Sequence, residues 1–217
     1  MTFTGTVASI NAALAGMSFS PTANFNGAAS LQIVTNDQGN TGTGGALTDT
    51  DTVAITVNPV NDAPTLGNGT LASVAEDTTN PPGQTVATIF TGQFADIDAG
   101  ASLAGIAVVG NTANAGTQGT WQYSSNGGGN WFAIGAVADG ASALAVSSAT
   151  LIRFVPVADY NGTPPALTLR GLDDSYSGGF SSTAGSETRV NVNTAVNGGT
   201  TAIAAATATL STSVAAV

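Results

Sequence analysis

Thirteen acidic side chains, three arginines and no lysine, histidine or cysteine make up the chemistry-bearing inventory of this 217-residue chain. Without His, Cys and Lys it lacks the usual general base, the thiol nucleophile, the Schiff-base amine and the common zinc ligands, which leaves only carboxylate or tyrosine chemistry. That inventory argues against an enzyme. Without lysine there are no Lys-to-Asn isopeptide crosslinks, and without cysteine there are no disulfides or thiolate metal sites, which still permits an extracellular life. A net charge of −10 disfavours nucleic acid and anionic membranes, since both need a basic surface. A carboxylate-rich surface suits Ca2+, a hard cation with oxygen ligands, because clustered carboxylates repel one another unless a cation sits between them. The plain alternative is an acidic surface that keeps a protein soluble.

Aromatic residues offer a second kind of chemistry. The stretch from Trp121 through Tyr123 and Asn126 to Asn130 and Trp131 reads as a hairpin with alternating aromatics. It is similar to the Asp-box turn of sialidase propellers, with Asn126 and Asn130 in the Asp and Thr places. That box is structural, and although Arg153, Arg170 and Arg189 match the arginine need of a sialidase in number, the chain is too short for a propeller. Trp121 and Trp131 are expected in the core or at a corner, with a glycan- or peptide-binding platform as the alternative.

These residues must be carried by short strands. Apolar residues form 42% of the chain, enough for a core, and no apolar run approaches the ~18 residues of a spanning helix. No membrane insertion is therefore expected, and Met1-Thr2-Phe3-Thr4 does not open a secretion signal. Thr2 to Val7 and Met17 to Pro21 read as strands, with one or two helical turns capped by Ser9 between them. The Asn24-Phe25-Asn26-Gly27 turn follows, with Phe25 expected to plug the end of a core. Then come a strand at 31–37, a polar loop at 39–51 and an alternating strand, Val53, Ile55 and Val57. Further strands are predicted at 71–75, 85–90, 102–109, 119–124, 131–134, 151–155, 166–172, 188–193 and 206–214, with a hairpin turn signal at Asn197-Gly198-Gly199.

The pattern repeats. Phe19-Ser20-Pro21 through Asn24-Phe25-Asn26-Gly27 matches Phe154-Val155-Pro156 through Asp159-Tyr160-Asn161-Gly162 at a constant offset. One inserted residue then aligns Leu31 with Leu167, Ile33 with Leu169 and Asp37 with Asp173, and Val57 to Val60 matches Val214 to Val217. Residues 1–64 thus read as the C-terminal half of one repeat, and 65–217 as a nearly complete second one, with a hairpin insertion at about 175–205. A half repeat would present an open sheet edge, through which another chain could complete it and give a strand-complementing filament subunit.

At the seam, strand residues run into Val57-Asn58-Pro59-Val60-Asn61-Asp62-Ala63-Pro64. This V-N-D-A-P wording resembles the linker of bacterial cadherin-like tandem repeats in large secreted or surface adhesins. The resemblance implies an all-β architecture of Greek-key antiparallel β-sandwich repeats in tandem. It also implies a role as a calcium-stiffened extender or junction module in cell adhesion and biofilm, with neighbouring repeats of the same protein as partners. Export through a C-terminal signal outside this segment would go with it. The same resemblance supplies a Ca2+ ligand set: Asn61 and Asp62 in the linker, Asp96 and Asp98 as an Asp-x-Asp, and Asp173 on a later strand. Asp37 is the counterpart of Asp173 in the first repeat, and Glu76 would serve the next junction. Pro59 and Ala63 stand where the fuller linker carries Asp and Asn, so one or two ions are expected rather than three.

Overall fold

Leu31 and Ile33, facing Val53, Ile55 and Val57 along two alternating runs, pair into a long antiparallel hairpin. The computed structural model describes residues 1–40 and 43–217; Thr41 and Gly42, within the predicted 39–51 loop, lie outside the described residues. The chain divides into two units, residues 1–60 and 61–217.

The first unit holds α1 (Val7–Leu14), β1 (Gly27–Asn36) and β2 (Thr48–Val57). Thr6 caps α1 by accepting from the Ser9 amide at 3.2 Å, so the helix begins before the expected Ser9 cap and displaces the strand predicted at 2–7. No strand forms at 17–21 either, where Pro21 removes a donor. Phe25 is 39% exposed and does not plug a core. β1 and β2 pair from Gly27↔Val57 to Asn36↔Thr48. Leu31, Ile33, Ile55 and Val57 share one half-buried face, and no described residue of this unit is fully buried.

The second unit begins with β3 (Thr65–Leu66), β4 (Gly69–Thr70), β5 (Val74–Ala75), β6 (Gln84–Thr85), α2 (Val86–Ile89) and β7 (Phe94–Ala95). It continues with β8 (Leu103–Gly110), β9 (Gly119–Ser124), β10 (Phe132–Ala133), β11 (Ala143–Ser147), β12 (Leu151–Pro156) and β13 (Leu167–Asp173). β14 (Asn191–Val192), β15 (Ala208–Ser211) and β16 (Val214–Ala215) complete it. Apart from the two short helices the fold is all-β. Four strands in the order β10-β9-β12-β6 and six in the order β14-β11-β8-β13-β15-β4 form its two main sheets.

One core joins the two sheets. Trp121, Tyr123, Ile152 and Phe154 from the four-stranded sheet meet Ile106, Val108, Leu144, Leu167, Leu169 and Leu210 from the six-stranded one, all 0% exposed. Each such side chain contributes about 1.5–3 kcal/mol through removal from water. Trp121 packs edge-on against Phe154 with centroids 5.2 Å apart, and its indole N–H donates to the Pro165 carbonyl at 3.0 Å. Ala107, Val109, Ala143 and Ala145, which alternate with core residues, point to the opposite face of the six-stranded sheet. That face is covered by Tyr176, Phe180 and Val190 from the 175–205 insertion. The insertion lies over the sheet and joins it through the two residues of β14 and an isolated bridge between Ile203 and Leu172.

Strands β8, β9, β12 and β13 fall where the short apolar runs between turn signals predict them. The stretch predicted as a strand at 85–90 instead turns into α2, because Val86, Ile89 and Phe90 recur at one helical turn and all enter the core. Thr85 caps it, accepting from the Thr88 amide at 3.2 Å. The predicted last strand is split into β15 and β16.

The internal repeat is present in the backbone of each unit. Asn24 and Asp159 adopt φ of 61° and 60°, and Gly27 and Gly162 φ of 117° and 127°. Leu31 faces Val53 and Ile33 faces Asp51; Leu167 faces Leu210 and Leu169 faces Ala208, the same register under the alignment of Val57 with Val214.

Candidate metal centre

Of the seam residues, Asn61 to Pro64 belong to the second unit. Pro64 is buried at its edge, and the Ala63 amide donates to the Gly199 carbonyl at 2.8 Å. Gly198 and Gly199 adopt φ of 70° and 58°, the left-handed values that let the predicted Asn-Gly-Gly turn fold up against the seam. Immediately after, β3 pairs with β7, which delivers Asp96 and Asp98 beside Asp62.

Hydrogen bonds then thread the acids together. The Asp62 amide donates to Asp98 Oδ2 at 2.7 Å, and the Asp98 amide donates to Asp96 Oδ1 at 3.0 Å. The Asp-x-Asp therefore sits in a turn just past β7, and the extended geometry that would aim both carboxylates alike does not form; an Asp side chain readily captures the amide two residues on. Asp173, at the C-terminal end of β13, is 1% exposed, and its Oδ1 accepts from the Ser175 amide at 2.8 Å and hydroxyl at 2.5 Å. Asn61 Nδ2 spans the group, donating to Asp173 Oδ2 at 3.4 Å, the Asp62 carbonyl at 3.0 Å and the Thr201 carbonyl at 3.2 Å.

The donor set fits a hard cation. Asp96 Oδ2 is buried without a hydrogen-bond partner, a costly state for a carboxylate oxygen and one that a cation relieves. Among the described residues, the arginines that form ion pairs serve Asp139 and Glu187, not these acids. Among the described residues no three acidic side chains stand together as a formed metal cage, so an ion would require the carboxylates to rotate inward. Asp62, Asp96, Asp98, Asp173 and Asn61 are the residues that would hold it.

The other two expected ligands lie elsewhere. Glu76 belongs to the opposite pole of the second unit, where its Oε1 accepts from the Val217 amide at 3.0 Å and its Oε2 from Asn161 Nδ2 at 2.9 Å. Asp77 Oδ1 accepts there from the Asp159 amide at 3.0 Å. Asp159, Asp77 and Asn161 were not singled out from sequence, although the left-handed turn shared by Asn24 and Asp159 marks that position in the repeat. Asp37, in the first unit, accepts from the Gly39 and Leu47 amides at 2.9 and 2.8 Å and organises the turn after β1. Asp174 and Ser175 were also missed; Asp174 Oδ1 ties the Ser102 amide to the seam pole at 3.0 Å.

The aromatic hairpin is built as a structural turn. Asn126 Oδ1 accepts from the Asn130 amide and the Ser124 hydroxyl, each at 2.9 Å, and Ser124 Oγ accepts from the Gly128 amide at 3.0 Å. Trp121 is fully buried, and Trp131 has one face against the Arg153 guanidinium at 3.9 Å. Tyr123 donates to Glu187 Oε1 at 2.7 Å; burial and that carboxylate push its phenol far above the ordinary range.

Comparison with known proteins returns nothing to set beside this geometry: no family model, no curated protein and no solved structure matches the chain.

Proposed function

We propose that the chain is a non-enzymatic, calcium-stiffened extender or junction module of a large bacterial surface or secreted adhesin, with Greek-key cadherin-like repeats in tandem. The observation that carries this reading is the pairing of the first strands with the last. β4 runs parallel to β15 and β5 parallel to β16, so the chain enters the second unit at one pole and reaches residue 217 at the other. A module with opposed poles adds length when placed in series, as modules with adjacent termini do not. Acids gather at each pole: Asp62, Asp96, Asp98 and Asp173 near the seam, Glu76, Asp77 and Asp159 at the far end. A cation at a pole neutralises facing carboxylates and restrains the neighbour's angle.

The test is thermal unfolding in excess EDTA, in millimolar calcium and in millimolar magnesium. Extracellular calcium modules bind with Kd of about 10⁻⁴–10⁻³ M, so about 1 mM calcium at one site stabilises by about 0.4–1.4 kcal/mol. For a unit of this size the expected calcium-specific rise in Tm is about 1–6 °C. No rise, or an equal rise with magnesium, overturns the calcium reading.

A second reading has its own support. Leu167 and Leu169 are 0% exposed beneath the rest of their core, whereas their counterparts Leu31 and Ile33 are only half-buried. Strand complementation of the first unit by another repeat would cover that face.

A further inference from the structure

The chain has three arginines, and two of them meet carboxylates: Arg170 with Asp139 at 2.7 Å and Arg189 with Glu187 at 3.6 Å. Arg153 is different. It is 7% exposed, yet among the described residues no acidic group lies within ion-pair distance of it. Its contacts are neutral oxygens and one ring: Nε donates to Gln122 Oε1 at 2.8 Å, Nη1 to Asn80 Oδ1 at 2.6 Å and to the Pro81 carbonyl at 3.0 Å, and the guanidinium lies over Trp131. A buried charge normally comes with a counter-charge, and in a chain of net charge −10 acids are abundant.

The guanidinium is not fully used. It carries five N–H groups, and the two on Nη2 make no hydrogen bond within the described residues. Nor is Nη2 sealed in the core, since the buried unpartnered side-chain atom is Asp96 Oδ2. Arg153 instead forms one wall of an open cavity of about 250 Å³, whose other walls include Leu71, Ala72, Ser73, Val74, Pro81, Pro82 and Gln84. The Gln84 amide is oriented by its Oε1, which accepts from the Ala72 amide at 2.8 Å, leaving its Nε2 donor without a protein acceptor among the described residues. Gly83, at φ +74°, holds the wall in place: a Cβ there would meet Trp131 and the Ile152 carbonyl oxygen, each at 2.8 Å.

We propose that this cavity binds a small apolar carboxylate, its carboxyl group on Arg153 Nη2 and the Gln84 amide and its hydrocarbon body against Leu71, Val74, Pro81 and Pro82. With Nε and Nη1 engaged, Nη2 offers a charge-assisted N–H to one carboxylate oxygen and Gln84 Nε2 offers a second donor to the other. The scarcity of polar groups on the walls excludes a hydroxyl-rich sugar, whose hydroxyls would be left without partners. The volume lies below the about 300–1,000 Å³ of pockets for larger ligands, so the ligand is about the size of an aromatic acid. The site is independent of the calcium reading, since none of its residues belongs to either acidic pole.

Benzoate is the probe and benzamide its neutral counterpart, followed by calorimetry and by the indole N–H resonance of Trp131. Saturable benzoate binding is expected, with benzamide at least about tenfold weaker because it has no negative charge to pair with the guanidinium and only one acceptor oxygen. Ala72→Trp, at an exposed lining position, should fill the cavity and abolish binding with Tm unchanged. Arg153→Lys keeps the charge but withdraws the Nη2 donor from the cavity and should weaken benzoate more than benzamide. Equal binding of benzoate and benzamide, undiminished benzoate binding by Ala72→Trp, or no saturable binding at millimolar benzoate each overturns the proposal.

Discussion

Arg170 is 8% exposed and bonded through all three nitrogens: Nε and Nη2 donate to the two oxygens of Asp139 at 3.1 and 2.7 Å, and Nη1 donates to the Ala204 and Ala205 carbonyls. The guanidinium, helped by the Thr194 hydroxyl, holds the Asp139 carboxyl at about 2, below its ordinary value. A carboxylate depressed on folding contributes stability that is complete above about pH 4, its unfolded value, and is lost as pH falls through about 2. The Asp139 side chain is 47% exposed, so solvent screens the pair and the contribution is modest. Asp139→Asn should therefore cost about 1–2 kcal/mol at pH 7 in urea unfolding, with the difference from the parent narrowing toward pH 2. A cost that stays constant with pH would mean that packing, not charge, is what the substitution disturbs. Asp96 should behave in the opposite way. Because its Oδ2 is buried without a donor, Asp96→Asn should leave the protein as stable or slightly more stable in EDTA, while removing most of the calcium-dependent rise in Tm. Equal losses with and without calcium would assign Asp96 to the turn alone.

Elements differ in how plainly the sequence announces them, and burial explains the difference. β9 alternates Trp121 and Tyr123 with Gln122, so a period of two is visible. β11 was not expected because Ala143, Leu144, Ala145 and Val146 are all buried, covered on one face by the core and on the other by the insertion. A strand buried on both faces shows no alternation. For the same reason the insertion, rich in Ser and Gly, gave no sign that Tyr176 and Phe180 lie over a sheet, their rings 5.3 Å apart. The acids of the seam pole were named only through the resemblance carried by the V-N-D-A-P wording, and the hydrogen bonds from Asp62 to Asp98 and from Asp98 to Asp96 show that three of them are neighbours. The neutral surroundings of Arg153 were not legible, since Gln122 and Asn80 are remote from it in sequence. The cover provided by the insertion rests on one glycine. A Cβ on Gly105 would run into the Val146 carbonyl oxygen and approach the Phe180 ring to 2.6 Å. Gly105→Ala should cost about 1–3 kcal/mol, and amide exchange should rise first at 175–192 while β9 and β12 stay protected. Uniform loss of protection across both sheets would show that the insertion is no separate cooperative layer.

At the scale of the whole chain, the two units stand in sharp contrast despite repeating the same turn and the same strand register. In the second, residues equivalent to the β1 pair are locked between sheets; in the first, no described residue reaches full burial, and Phe19, counterpart of the fully buried Phe154, is 50% exposed. A hairpin with one apolar face and no cover is marginal in water, because hydrogen-bonded pairing alone does not offset the entropy of ordering it. Hydrogen exchange on the full chain at low protein concentration should therefore show residues 27–36 and 48–57 exchanging close to intrinsic rates, while 103–110 and 167–173 exchange only on global unfolding. The concentration dependence then separates the two functional readings. If protection across β1 and β2 grows with protein concentration, and sedimentation shows larger species in parallel, the uncovered face is a docking face and strand complementation is at work. If protection stays low at every concentration while calcium still raises the Tm of residues 61–217, the first unit takes its cover only from a neighbouring repeat in series, which is the arrangement an extender requires.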